Sequence, residues 1–129
     1  MDGQAQGAAF QGLSDEERRA GQIFVTGLPS AYVVAHVDYV RVVRLLPLGP
    51  ERTELVAEWL FAPETLAGPV FDPANIVEFA TLVMEQDAEV CALNQRGLRS
   101  LRHDKGVLMP EEYFVKWFHD WVRAELQKG

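Results

Sequence analysis

Asp87 is the residue in this sequence whose position asks for chemistry. Counted in helical steps from Phe79 and Val83, the next place on the same stripe is Asp87, and the following steps reach Val90, Cys91 and Asn94. A carboxylate on such a stripe is expected to face the interior, where an uncompensated charge is costly. It then needs an arginine, several hydrogen-bond donors or a metal ion, and spacing alone leaves all three open. The three histidines do not gather into a ligand set. His36 sits among apolar neighbours on a strand and is the one expected near the core. His103 stands beside Asp104 in a basic loop, and His119 lies off the apolar stripe of the last helix, where exposure is expected. Cys91, one turn from Asp87, reads as a small buried apolar residue, because a nucleophile would need a base that the sequence does not place nearby. Tyr32, Trp59, Phe61, Trp117 and Trp121 could line a cage for a cationic ligand. Ordinary core aromatics at regular spacing are the simpler account.

The elements that must position these groups are legible in outline. Residues 1–12 are rich in Gly, Ala and Gln and read as a flexible lead-in. Residues 13–129 read as one folded region. Ser14 followed by Glu17 has the capping-box spacing and should start a short helix through about Ala20. The period then becomes alternating. Ile23–Thr26, Tyr32–Val37, Tyr39–Leu46 and Thr53–Phe61 are dense in β-branched and aromatic residues, with turns at Gly27–Ser30 and Pro47–Glu51. In the fourth segment Glu54 and Glu58 alternate with Leu55, Ala57, Trp59 and Phe61, as in an amphipathic antiparallel strand. From Pro73 to about Gln95 the apolar positions Ile76, Phe79, Ala80, Val83, Val90 and Cys91 predict a long helix, ended by Gly97 in a left-handed cap. Pro110-Glu111-Glu112 should open a last helix to about Leu126, with Phe114, Trp117, Phe118, Trp121 and Val122 as its buried stripe. The expected class is α+β, a curved antiparallel sheet packed on a long helix with a second, C-terminal helix.

Composition narrows the function classes. The 129 residues carry 19 acidic and 12 basic side chains, a formal charge of −7, which argues against a nucleic-acid partner. Arg96, Arg99, Arg102 and Lys105 read as a solvated loop. A single cysteine excludes an intramolecular disulfide framework. The apolar runs are too short to span a bilayer and the N-terminus has no signal-peptide pattern, so no membrane partner and a cytoplasmic location are expected.

Three stretches resemble a known family. The run FATLVMEQDAEVCALNQRGLRS, Phe79 to Ser100, is similar to the C-terminal signature of Rieske-type non-haem iron oxygenase α subunits: an aspartate after Gln, an apolar-Cys pair, then Gln-x-Gly-(apolar)-x-Ser. GVLMPEEYFVKWFHDWVRAEL resembles the family's closing segment, and DYVRVVRLLPLGPERTELVAEWLFAPE its strand pair. The likeness covers roughly residues 28–126 and looks nearest to the branch acting on glycine betaine, choline and related quaternary amines. It implies a helix-grip fold, as in the START and Bet v 1-like superfamily, of which this chain would be the C-terminal part. It also implies that Asp87 is the carboxylate of a 2-His-1-carboxylate triad holding mononuclear Fe(II). For the intact protein it implies O₂-dependent hydroxylation of an aromatic or quaternary-amine substrate, a [2Fe–2S] cluster in an N-terminal domain, a reductase partner and a homo-oligomer.

The departures are as informative. One cysteine cannot supply the two Cys and two His of a Rieske cluster, and no His-x-x-x-x-His pair exists to complete the triad. Ala88 follows Asp87 where many relatives have tryptophan. The expectation is therefore a piece of an oxygenase catalytic domain, its missing parts lying upstream, inactive alone and holding no cofactor by itself. Two other readings stand beside it. One is a free-standing helix-grip module that binds a small molecule without redox chemistry. The other is an accessory oxygenase subunit.

Overall fold

The computed structural model describes residues 7–69 and 71–129. Its elements are α1 (Asp15–Ala20), β1 (Gln22–Gly27), β2 (Ala31–His36), β3 (Tyr39–Gly49), β4 (Arg52–Phe61), α2 (Pro63–Leu66), α3 (Ala74–Leu98), a 3-10 turn (Pro110–Glu112) and α4 (Tyr113–Leu126). The class is α+β, and the chain divides into two compact units at the Asp72–Pro73 junction.

The first unit is built on a four-stranded antiparallel sheet in the order β1-β2-β3-β4, each strand pairing with its neighbour in sequence. Strands joined by short turns need no crossover, and the β-branched runs supply side chains that suit a pleated surface. Each segment expected as a strand is one, with bounds shifted by at most three residues. The register pairs Phe24 with Val34, Val34 with Arg41, and Arg41 with Trp59. Because side chains alternate across a strand, these four lie on one face. The same face carries Tyr32 and His36 of β2, Tyr39 of β3 and Phe61 of β4. Glu54 and Glu58 fall on the opposite face, as the alternation in β4 predicted. There Glu58 meets Arg44 at 2.7 Å, but both side chains are more than half exposed. Exposed pairs contribute little, so Glu58→Gln is expected to change stability by less than about 0.5 kcal/mol in a urea titration. A loss above about 1 kcal/mol would show the pair to be shielded from solvent.

Helix α1 starts where the sequence placed it. Ser14 and Glu17 form the reciprocal capping box, with the Glu17 N–H donating to Ser14 Oγ and the Ser14 N–H to the Glu17 carboxylate. The Ser14 N–H and the Ser14 hydroxyl, both donating to the Glu17 carboxylate, hold it below the usual carboxylate range. Of the lead-in 1–12, residues 1–6 lie outside the described residues. Beyond them, Phe10 N–H donates to the Val37 carbonyl at 2.8 Å, and Gly7 N–H to Asp38 Oδ2 at 3.1 Å. A Cβ at Gly7 would fall 2.6 Å from Thr65 Cγ2, so this close passage over α2 requires glycine.

In the second unit α3 runs 25 residues, about 38 Å at helical rise. It continues past Gly97, and its cap is Arg99 at φ −89° rather than a left-handed glycine. A glycine permits that conformation but does not impose it. The 3-10 turn at Pro110–Glu112 leads into α4, where the proline and acids predicted a helix start. Lys116, Asp120 and Arg123 form an ion-paired ladder along α4, and Lys116 holds the Asp120 carboxyl below its ordinary range.

The expected burial of the helical stripes is not met among the described residues. On α3 only Ile76 and Ala80 are buried, while Phe79 is 46% and Val90 63% exposed. On α4 no residue is buried, and Phe114 and Trp117 are more than half exposed. The i, i+3, i+4 spacing is present as read. What it cannot tell is whether a covering surface belongs to the same chain.

Candidate functional site

Asp87 lies in the middle of α3, held there by helix geometry one turn from Val83 and one turn from Cys91. It is exposed, as is Cys91. The expectation of an interior carboxylate is thus corrected: Asp87 is exposed, as are Phe79 and Val83 on the same stripe. No ion pair or hydrogen bond engages Asp87 among the described residues, so its carboxylate is free to accept a ligand. Likewise no group of three or more His, Cys, Asp or Glu is placed to hold a metal ion among the described residues. The donor set tests poorly against a three-ligand iron site, since Asp87 offers one ligand and the described residues bring no second beside it.

The histidines fall where the sequence suggested. His103 and His119 are exposed. His36 is half-buried at the end of β2, its ring stacked on Tyr39 with centroids 4.2 Å apart. Burial pushes the His36 imidazole below its ordinary value, the Arg41 charge adds to this, and the Asp38 charge opposes it. Burial also raises the Tyr39 phenol. Because the folded state lowers the His36 pKa, folding favours the neutral ring. The associated stability is fully present above the ordinary 6.5 of histidine and is lost as pH falls through the lower folded value. An NMR titration of the His36 ring protons is expected to give a midpoint below 6.5, and a midpoint at or above it would contradict this burial.

Around His36 the structure assembles a cluster that the sequence did not single out. Asp38, in the tight β2–β3 corner, is 3% exposed and accepts the Gly7 N–H. Tyr39 stands 5.6 Å from Phe61, and Phe61 meets Phe71 edge-on at 4.8 Å. Arg41 Nε and Trp59 Nε1 are buried donors that make no hydrogen bond among the described residues. Tyr32, Trp59 and Phe61 of the cage considered from sequence do share this sheet face, whereas Trp117 and Trp121 belong to the other unit. The run His-Val-Asp-Tyr between two strands carried no local signal of the cluster, because Asp38 takes its hydrogen bond from Gly7, far away in sequence.

Comparison with known proteins adds a second line. The family described as "Ring hydroxylating alpha subunit (catalytic domain)" matches residues 1–128. A curated protein, the glycine betaine monooxygenase oxygenase subunit of Chromohalobacter salexigens, is 28% identical over 111 residues, covering 82% of this chain and 25% of its own length. The chain thus spans about a quarter of that relative. No solved structure matches it. No helix among the described residues is long and apolar enough to cross a membrane.

Proposed function

Given that this chain belongs to the family of Rieske-type ring-hydroxylating oxygenase α subunits, within the catalytic domain, we propose that it is the C-terminal part of that domain and supplies one iron ligand, Asp87. The single observation that carries the reading is the bare carboxylate in the middle of an uncovered apolar stripe on α3. A surface that covers Phe79, Val83 and Val90 would bury them and close over Asp87 at the same time. In a helix-grip arrangement that cover brings the two histidines, and the facial triad forms only when the parts meet. Iron held there would supply O₂ activation, and the part of Asp87 would be to hold a ligand oxygen on a rigid helix.

The size of the core supports the same reading. Among the described residues only Val34, Ile76, Ala80 and Asp38 are buried, a small core that leaves apolar surface for further packing. The chain alone is therefore inactive, and the substrate, an aromatic or quaternary amine, meets the assembled domain together with a reductase. The test is iron content. The chain joined to a segment carrying a His-x-x-x-x-His pair should retain one mononuclear Fe(II) per polypeptide, and the chain alone none. Equal iron in both forms would overturn the reading.

A second reading, a small-molecule binding module without redox chemistry, is favoured by one observation. Leaving a buried donor without an acceptor costs about 1–3 kcal/mol, and Arg41 Nε and Trp59 Nε1 face each other across β3 and β4 on the aromatic side of the sheet. A ligand with acceptor oxygens would satisfy both. Ligand-induced shifts of the Trp59 indole N–H in a chain without iron would support it.

A further inference from the structure

Two buried donors stand side by side on the sheet. Arg41 of β3 is in register with Trp59 of β4, so both side chains rise from the same face as direct neighbours. Arg41 Nε and Trp59 Nε1 are shielded from solvent, and neither has an acceptor among the described residues. Because both are already shielded, they are not by-products of an open sheet edge or an uncovered helix. A buried N–H left without an acceptor is costly, and two at paired register positions point to one shared acceptor group.

The charge around them narrows what that group is. Arg41 keeps its positive charge throughout the physiological range and forms no ion pair among the described residues. His36 is held toward its neutral form by burial and by the Arg41 charge, so it adds no second cation. Asp38 accepts the Gly7 N–H, and its charge acts on His36 and Tyr39. A single cation balances a single negative charge, which favours a carboxylate over a phosphate group carrying nearly two. The guanidinium fork matches the two oxygens of a carboxylate, and the indole N–H adds one further donor. Two residues along the same strands Tyr39 pairs with Phe61, their rings 5.6 Å apart, and Phe71 continues the row at 4.8 Å. Ring surfaces therefore adjoin the paired donors, and they suit an apolar or quaternary-ammonium body.

We propose that Arg41 and Trp59 receive the carboxylate of a small molecule whose body lies against Tyr39 and Phe61. The proposal names the ligand class for the small-molecule reading of this face and rests on that reading. It is independent of Asp87.

Glycine betaine and choline test it, because they share a trimethylammonium body and differ in bearing a carboxylate or a hydroxyl. Each is titrated into the full chain without iron, and the Trp59 indole N–H, identified by its loss in Trp59→Phe, is followed by NMR. Glycine betaine should shift that resonance to saturation, and choline should bind at least about tenfold more weakly. Arg41→Gln should weaken glycine betaine at least about tenfold and leave choline unchanged, a split that general loss of structure does not produce. Trp59→Phe keeps a ring in place and should weaken glycine betaine about threefold or more, read from the backbone amides of Tyr39 and Phe61. Where Arg41→Gln loses its strand signal in circular dichroism, Trp59→Phe decides. Equal binding of the two probes would leave the small-molecule reading standing and overturn the carboxylate. No shift with either probe would overturn both, and wild-type affinity in the two variants would overturn the proposal.

Discussion

Replacing Asp87 by alanine, in a subunit that carries this segment together with the histidine pair, is expected to strip the mononuclear iron and lower hydroxylation by more than about a hundredfold. The magnitude follows from position. Outer groups that merely orient a metal ligand are worth about 10–100-fold in affinity or activity, and a ligand of a three-ligand site should exceed them. The same substitution should leave stability within about 0.5 kcal/mol, because Asp87 is exposed and makes no ion pair among the described residues. Iron content and thermal unfolding measured on one preparation separate the two effects. A variant that keeps its iron removes Asp87 from the ligand set, and a variant that loses both iron and fold points to a structural role instead.

The second large effect belongs to the sheet. Val34 is 5% exposed, on the aromatic face between Phe24 of β1 and Arg41 of β3. Val34→Lys would place a second positive charge there beside Arg41, and burying an uncompensated charge is among the few mechanisms that cost more than about 3 kcal/mol. With so few buried residues the first unit has little stability in reserve, and the strand signal in circular dichroism should disappear. Asp38, almost equally buried, is tolerated because the Gly7 N–H donates to it, whereas a lysine at 34 would stand opposite the Arg41 guanidinium. A Val34→Lys chain with native strand content would mean that the aromatic face is open to water.

These two positions also show how far the sequence could be read. The strands were legible because β-branched and aromatic residues cluster in them, and α1 because Ser14 and Glu17 satisfy each other's backbone donors locally. Such signals depend on near neighbours alone. The placing of Asp87 on the stripe of Phe79 and Val83 was legible for the same reason, since helical spacing is local. Its exposure was not, because helical spacing says nothing of what packs against a stripe. Gly97 marked the end of α3 to within one residue but not its geometry, since the cap is Arg99 in a right-handed conformation. Asp38 went unremarked because its environment depends on Gly7, 31 residues away, a contact no periodicity announces. The aromatic face emerged only with the strand register, which decides whether Arg41 stands opposite Trp59 or one residue off.

The central claim is that Asp87 is one iron ligand of a site whose other ligands this chain does not contain. Anaerobic Fe(II) titration of the purified chain, beside its Asp87→Ala variant, tests it most directly. The account predicts no stoichiometric site in either protein. Tight one-to-one binding that vanishes in Asp87→Ala would contradict it, since residues of this chain would then complete the site by themselves.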